Sequence, residues 1–341
     1  MKVLIVGNFA SWAIENYYVK YLREMGVEVE CFDSSKYYSK KLSWKIFSRI
    51  FPKLSFRNAN LSLLKVVKSK NIDIVWIFKG REYYPETLRL IKKMGVKLVN
   101  YNPDHPFIRT AHSHGGKNVE DCIPLYDLHF CYSKDLMQKI EKEYKIPTTF
   151  LPFGYELSEE NFQAAIKEQE INHVCFVGNP DNIRMETINF LATQDVIVYV
   201  FGIGWHLVKM HKNVIIGDAI FGEEFWSVLR KFRVQLNIFR PHNINSHNMR
   251  SFEIPAVGGI MLAPKSEEHR EFFEEGKEVF LYSDLKDLLN KILFLLSMPQ
   301  TEINRIRAKA MQKSIENKYT YRNNSEVVKG KFENLISEII K

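Results

Sequence analysis

Residues 235–264 read QLNIFRPHNINSHNMRSFEIPAVGGIMLAP, and the order of residue types in this stretch decides the reading of the whole chain. An apolar run from Val234 to Phe239 gives way to a polar loop rich in Asn and His. A short helical piece follows from about Met249 to Val257, and Gly258-Gly259 turns the chain into a second apolar run, Ile260 to Ala263. The pattern is strand, loop, helix, turn, strand. In an open parallel sheet the loop leaving the carboxyl end of a strand faces the ligand crevice, and the next helix points its unpaired N–H groups at it. An anion suits that arrangement.

A helix N-terminus alone favours an exposed anion by only ~0.3–1 kcal/mol, so a diphosphate held against water needs a cation as well. Arg250 supplies one, with forked donors that match phosphate oxygens. Glu253 lies one turn along the same helix face. A carboxylate gains nothing beside a phosphate, whereas accepting from two sugar hydroxyls suits it. Spacing alone leaves an alternative, an ordinary strand–helix–strand unit whose Arg and Glu pair on the surface.

Outward from this stretch, the 341 residues suffice for two domains that each bury a core. With 45% hydrophobic and 26% charged residues the composition is that of a globular protein. No run approaches the ~20 apolar residues that span a bilayer, and the N-terminus enters a strand at once instead of a signal peptide. A cytoplasmic protein is expected, with a peripheral position on the inner face of the membrane as an extension. Cys31, Cys122, Cys131 and Cys175 form no CxxC pair, and all but Cys122 lie in apolar runs, which reads as buried, reduced thiols. The net charge of +8 suits an anionic partner, whether nucleotide, phospholipid surface or nucleic acid.

From the N-terminus, strands are expected at Lys2–Gly7, Val27–Phe32, Asp73–Lys79, Lys97–Tyr101, Leu128–Tyr132 and Thr148–Phe153. Helices alternate with them at Tyr17–Met25, Leu61–Lys70, Pro85–Met94 and, capped by Ser133, Lys134–Tyr144. The first turn, GNFASW, lacks G-x-G-x-x-G, which argues against a dinucleotide cofactor and an NAD-dependent enzyme. Glu156–Glu170, with Ser158 as a cap, reads as a polar connector. The alternation then restarts at Asn172–Gly178 and continues through Val196–Phe201 and Val214–Ile216. The fold class is α/β, doubly wound, in two Rossmann-like halves.

Two further stretches carry chemistry. Lys36–Arg57 interleaves cations with aromatic residues, and a helix over about Lys41–Phe51 places Trp44, Phe47 and Phe51 on one stripe flanked by Lys40, Lys41, Lys45 and Arg49. Such a face suits an anionic membrane or a lipid-linked acceptor, each cation adding ~1 kcal/mol near the surface; the alternative is a stripe packed on the N-terminal sheet. No nucleic-acid motif accompanies the patch, so nucleic acid is not expected as a partner. In NPDHPF, Asp104 and His105 sit between two prolines at the end of a strand, where either could take a proton from a hydroxyl; the alternative is an Asp capping a turn. His112 and His114 give only two metal ligands, and the loop Ile108–Cys122 reads instead as a mobile loop beside an acceptor.

SFEIPAVGGIML at 251–262, followed by EEHREFFEEGKEVFLYSDLKDLLNKI at 267–292, resembles the C-terminal signature of GT-B glycosyltransferases, in particular the CgeB-like branch of the glycosyl transferase group 1 families. Arg250, Phe252, Glu253, Ala256, Gly258, Gly259, Glu274–Gly276 and Val279-Phe280 carry the likeness. The resemblance implies two Rossmann-like domains facing a cleft. An acceptor-binding domain would span 1–155, a nucleotide-sugar domain 156–324, and a last helix, 325–341, would cross back. It further implies that Glu253 grips the donor ribose and Arg250 its diphosphate. Gly178, Asn179, Arg184 and Asn248 would complete the phosphate side, and Gly202, Trp205 and Phe221 would border the base. The acceptor would be a glycan or lipid-linked hydroxyl, with Asp104 favoured as base. No cofactor or metal is implied, and synthesis of a surface polysaccharide or other glycoconjugate is the expected setting. Many retaining members carry a Glu eight positions before the ribose Glu, where this chain has Asn245. A sugar-nucleotide epimerase or hydrolase of the same shape, or a non-catalytic scaffold, stays open beside this reading.

Overall fold

Each apolar run expected to form a strand does so, and every named pairing is parallel. The computed structural model describes all residues except 39–42, 44–46, 48, 49, 109–115, 241–244 and 341, with the backbone alone for 52 and 338–340. Two units result, one of Met1–Pro152 with Tyr321–Lys341 and one of Phe153–Thr320.

The first unit is built on β1 (Lys2–Gly7), β2 (Glu28–Asp33), β3 (Ile74–Phe78), β4 (Lys97–Tyr101), β5 (Leu128–Cys131) and β6 (Thr148–Phe150), in the order β2-β1-β3-β4-β5-β6. Helices cover both faces, so β3, IVWIF, is buried at every residue and reads as one apolar block instead of alternating. Val75 and Ile77 enter one core layer with Leu4, Leu88 and Leu98. Trp76, facing the other way, packs edge-on to Tyr18 of the helix Glu15–Glu24 and to Phe332 of the last helix, Tyr321–Ile340. That last helix is fastened further by Arg322 to Glu24 at 2.8 Å, Lys329 to the Met25 carbonyl at 3.1 Å and Asn324 to the Pro152 carbonyl at 2.8 Å.

The second unit holds β7 (Ile171–Val177), β8 (Val198–Phe201), β9 (Val214–Gly217), β10 (Phe232–Leu236), β11 (Met261–Pro264) and β12 (Phe280–Tyr282), in the order β12-β11-β10-β7-β8-β9. Its core joins Val174, Phe176, Val198, Val234 and Leu262 of the strands to Ile188, Leu191, Leu288 and Ile292 of the helices. In each sheet the chain first builds outward from its opening strand and then returns to that strand's other side. The resulting switch points lie between β1 and β3 and between β7 and β10, where doubly wound sheets bind ligands outside the strand carboxyl ends.

Several local expectations are corrected. Ser158 does cap, its hydroxyl accepting from the Asn161 amide at 3.2 Å, but what it caps is a helix, Glu159–Lys167, inside the stretch expected to be a connector. Ser133 makes no side-chain cap, because its side chain is turned inward and buried. Strand β6 ends at Phe150, three residues early. Cys31 is exposed instead of buried, since β2 is an edge strand whose outer face lacks cover; Cys122, Cys131 and Cys175 are buried, and all four thiols are free.

The loop after β3 buries a carboxyl that sequence did not single out. Glu82 is 6% exposed, and burial, with the charge of Glu15 nearby, pushes it up to about 7. The folded protein thus keeps a proton that the unfolded chain releases near the ordinary value of 4.5, so stability is withdrawn as pH climbs from there through about 7. Glu82→Gln, which cannot ionise, is expected to raise the melting temperature at about pH 8, removing a cost of roughly 3 kcal/mol at most, and to leave it nearly unchanged at about pH 4.5. Equal melting temperatures at the higher pH would show that Glu82 carries no such cost.

Candidate functional site

At the switch point of the second unit the carboxyl ends of β7 and β10 are tied by one side chain. Arg184, in the first turn of the helix Asn182–Thr193, donates from Nε and Nη2 to the Ile238 carbonyl, at 3.2 and 3.1 Å, and from Nη1 to the Asn179 carbonyl at 2.9 Å. Asp181 stands 3.4 Å from Nε and caps the helix by accepting from the Arg184 amide at 3.1 Å. Burial draws the guanidinium down to about 10, opposed by Asp181 and reinforced by the charges of Arg240 and Arg250. Arg184 was expected on the diphosphate; it is buried and three of its five N–H donors are bound to carbonyls, so it positions the turn.

The turn Gly178-Asn179 is held from its other side by the loop after β8. Asn179 Oδ1 accepts from the Ile203 amide at 2.9 Å, and Trp205 Nε1 donates to the Gly178 carbonyl at 2.7 Å. Trp205, expected to border the base, has no exposed surface and lies edge-on to Phe176 in the core, so its indole offers no face to a ligand. Gly202 is equally internal: a Cβ there would stand 2.4 Å from the Gly178 carbonyl oxygen, which only glycine tolerates. Both shape the turn and neither meets a ligand through a side chain. Phe221, by contrast, is 57% exposed at the start of the helix Gly222–Lys231. Phe225, one turn on, carries the Arg250 guanidinium 4.4 Å above its ring.

The helix Arg250–Ala256 brings the two most specific residues of the sequence together. Arg250 Nη1 bonds Glu253 Oε2, and Arg250 Nε donates to the Val177 carbonyl at the end of β7 at 3.4 Å. With side-chain exposures of 26% and 9%, they are neither turned to solvent nor a surface pair. Among the described residues, Arg250 Nη2 and Glu253 Oε1 have no protein partner. Pro255 within this helix costs nothing there, because a helix of seven residues has few internal N–H bonds to lose.

Beneath the helix runs a buried polar network that sequence reasoning missed. Asn248, expected on the donor, is spent here: its Oδ1 accepts from the Ser251 amide at 3.2 Å and its Nδ2 donates to Asn237 Oδ1 at 2.7 Å. Ser251 Oγ lies 2.7 Å from His269 Nε2, whose Nδ1 is 3.2 Å from the Pro264 carbonyl. A carbonyl only accepts, so His269 is protonated on Nδ1 and takes the Ser251 hydroxyl proton bond at Nε2. The same logic applies to His247: Nε2 accepts from the Phe153 amide at 3.1 Å, so Nδ1 donates to Glu268 Oε2 at 2.6 Å, where Ser246 also donates at 2.7 Å. Burial lowers both imidazoles, His269 to about 4, and keeps them neutral near pH 7. The H-N-x-x-S…E-H spacing carries no recognisable signal by itself. Asn245 is exposed with φ +65°, a left-handed conformation that Asn accepts more readily than Glu.

At the switch point of the first unit, Asn8 follows β1, Lys79 follows β3 at φ +61°, and Asp104 follows β4. Asp104 Oδ2 pairs with Lys79 Nζ at 2.9 Å. His105 Nδ1 accepts from the Phe107 amide at 3.3 Å, which places the proton of a neutral ring on Nε2 and makes that nitrogen a donor. Of the two, Asp104 is the better placed base. Glu15, 5% exposed, accepts from the Asn8 amide at 3.0 Å; burial raises its carboxyl, Lys79 lowers it and Asp104 raises it further. Neither Glu15 nor Glu82 was singled out from sequence, since burial of a Glu leaves no mark in spacing.

Lys40, Lys41, Trp44, Lys45, Arg49, His112 and His114 lie outside the described residues. Among the described residues no three His, Cys, Asp or Glu stand together to hold a metal, and no helix is long and apolar enough to cross a membrane.

Residues 184–329 match the family model described as glycosyl transferase-like, over the very segment that holds Arg184, Arg250 and Glu253. The chain has the GT-B fold, and its C-terminal part matches a glycosyl transferase-like domain. The match is to the wider family, and the CgeB-like branch within it is not singled out. No curated protein sequence matches the chain. Among solved structures, a sucrose-phosphate synthase from Thermosynechococcus elongatus superposes with a TM-score of 0.70 at 9% identity, over 99% of this chain and 100% of that one. A glycosyltransferase from Rickettsia africae gives 0.63 at 12% identity, over 98% of each. Anabaena HepE, solved with UDP and glucose, gives 0.63 at 11%, over 98% of this chain and 100% of that one.

The turn after β7 depends on Gly202 having no side chain. Gly202→Ala is expected to cost roughly 1–3 kcal/mol as the turn is pushed aside, read as a lower thermal midpoint than wild type. An unchanged midpoint would mean that the turn yields freely and is not the rigid seat described.

Proposed function

We propose that the second unit binds a nucleoside-diphosphate sugar and that the first binds a hydroxyl acceptor, a glycan or a lipid-linked sugar, for surface glycoconjugate synthesis. The observation that carries the donor half is the Arg250–Glu253 pair beside the end of β7, with one guanidinium nitrogen and one carboxylate oxygen left over among the described residues. A carboxylate with a spare oxygen accepts from ribose hydroxyls, and a spare fork nitrogen donates to a phosphate oxygen. HepE, which shares the fold, was solved with UDP and glucose, in keeping with a donor of this class.

In the reaction, the bond between the anomeric carbon and the terminal phosphate oxygen breaks and its electron pair leaves with the diphosphate. The acceptor oxygen forms the new bond to that carbon, and its proton passes to the Asp104 carboxylate. Charge builds on the diphosphate as the transition state forms, so Arg250 binds that state more tightly than the intact donor, and this difference is what lowers the barrier. Lys79, at 2.9 Å, holds the base in place.

A membrane-bound acceptor is supported by the described part of the basic, aromatic stretch. Phe47, Ile50, Phe51 and Leu54, at helical spacing on one stripe, are each more than a third exposed, and Lys53 and Arg57 flank them. We assign this face to an anionic membrane surface on the cytoplasmic side.

Calorimetry with UDP, GDP, ADP, CDP and dTDP tests the donor site. Glu253→Ala is expected to bind the preferred nucleotide roughly ten- to a hundredfold more weakly. Asp104→Asn should bind it within about twofold of wild type and turn over roughly 10²–10⁴-fold more slowly. A Glu253→Ala protein that binds every nucleotide as wild type does would refute the ribose assignment. For the acceptor side, wild type should cosediment with vesicles containing phosphatidylglycerol and not with phosphatidylcholine alone, and Phe47→Ser with Phe51→Ser should release it. Equal recovery of the double variant with the anionic vesicles would remove the membrane from the account.

A further inference from the structure

The charges gathered at the carboxyl ends of β7 and β10 do not balance within the protein. Arg184 is answered by Asp181, and Arg250 by Glu253. A third guanidinium, Arg240, follows Ile238, the residue whose carbonyl Arg184 grips, by two positions. It stands near enough to Arg184 that its charge, like that of Arg250, works against the charge there. Arg240 is half-buried, yet among the described residues it has neither ion pair nor hydrogen bond. Like charges at close range repel more strongly where protein displaces water, and a partly buried cation with no partner is costly to keep. The natural reason to collect three cations around two carboxylates is an anion that arrives from outside.

Position and donor capacity both single out Arg240. It lies at the β7/β10 switch point, where a doubly wound sheet binds its ligand. Arg184, which sequence placed on the phosphates, has committed Nε, Nη1 and Nη2 to carbonyls; a guanidinium offers five N–H donors in all, and Arg240 has committed none. We propose that Arg240 is a ligand of the donor's diphosphate, the second cation beside Arg250, and that the pair of them selects a diphosphate over a monophosphate. This rests on the nucleotide-sugar reading above and adds to it a cation that the sequence reading did not single out. Two phosphate groups present charge at two separated points, which one guanidinium cannot cover. The leaving diphosphate gains charge as the glycosidic bond breaks, so the same contact tightens during reaction.

The test compares wild type, Arg240→Gln and Arg240→Lys with the nucleoside diphosphate from the panel of five that binds wild type best, its monophosphate and its nucleoside. Wild type is expected to prefer the diphosphate. Arg240→Gln should lose roughly ten- to a hundredfold in diphosphate affinity while monophosphate and nucleoside change by less than about threefold. Arg240→Lys should recover part of the loss, as a point charge without a fork. Since Arg240 bonds nothing among the described residues, Arg240→Gln should melt with wild type, which separates lost binding from lost folding. The salt dependence of diphosphate binding should also be shallower in Arg240→Gln. If wild type prefers the diphosphate and Arg240→Gln keeps both that preference and the wild-type salt dependence, Arg240 is not a phosphate ligand and the donor reading survives. If wild type binds no nucleotide at all, the donor reading itself falls and this assignment with it.

Discussion

A buried guanidinium bound to two backbone carbonyls is what the donor half depends on. Parallel strands diverge past their carboxyl ends, and no sheet hydrogen bonds join the loops that follow β7 and β10. Arg184 supplies the missing link, from Asn179 on one side to Ile238 on the other. Its charge makes the bonds stronger than neutral ones, and its planar fork reaches two chains at once. Asp181 offsets the cost of burying that charge while capping the same helix. Without this tie the Gly178-Asn179 turn and the segment toward Arg240 would have no fixed spacing, and a diphosphate needs its donors at fixed places before it binds.

The second support is the neutral network under Arg250–Ala256. A seven-residue helix is too short to hold itself, and its orientation is set by what its buried side touches. Ser251 reaches His269, Asn248 reaches Asn237, and His247 is fixed between the Phe153 amide and Glu268. Each donor meets an acceptor, so the network has one arrangement and the helix one orientation. Keeping both imidazoles uncharged matters electrostatically, because a histidinium here would add to three guanidiniums already close together.

How far the sequence could be read follows from what kind of information each feature needs. The strands and their order of appearance came through because buried parallel strands are unbroken apolar runs, as in Ile74–Phe78. The Arg250–Glu253 pair came through because both residues lie on one short helix, where spacing fixes geometry. What failed needed sheet order. Which strand lies beside β7 cannot be seen in the chain, so Arg184 was read as a phosphate ligand when it bridges to the loop after β10, and Arg240 was passed over because its neighbour across the sheet is far away in sequence. Trp205 misled for a related reason: an aromatic residue after a Gly-rich turn suits a base or a core equally, and only burial decides between them. Glu15 and Glu82 were missed since charged residues are presumed exposed until packing shows otherwise.

The pairing of Arg250 with Glu253 sets a condition on how the donor enters. If ribose hydroxyls and phosphate had to break that pair, each new contact would first lose an ion pair between partly buried groups, and little affinity would remain. The geometry avoids this, because the pair uses Nη1 and Oε2 and, among the described residues, leaves Nη2 and Oε1 unbonded by protein. On the proposed reading the donor then adds to the pair at both ends, and the carboxylate that fixes Arg250 beside the Phe225 ring is the one offered to the sugar. Arg250 is therefore oriented before the ligand arrives and loses little side-chain freedom on binding. Arg240 has no such partner among the described residues, so in the proposal above it is the diphosphate that orders it. The first cation thus serves placement, while the second responds to the amount of charge present, which rises from monophosphate to diphosphate and again as the sugar departs.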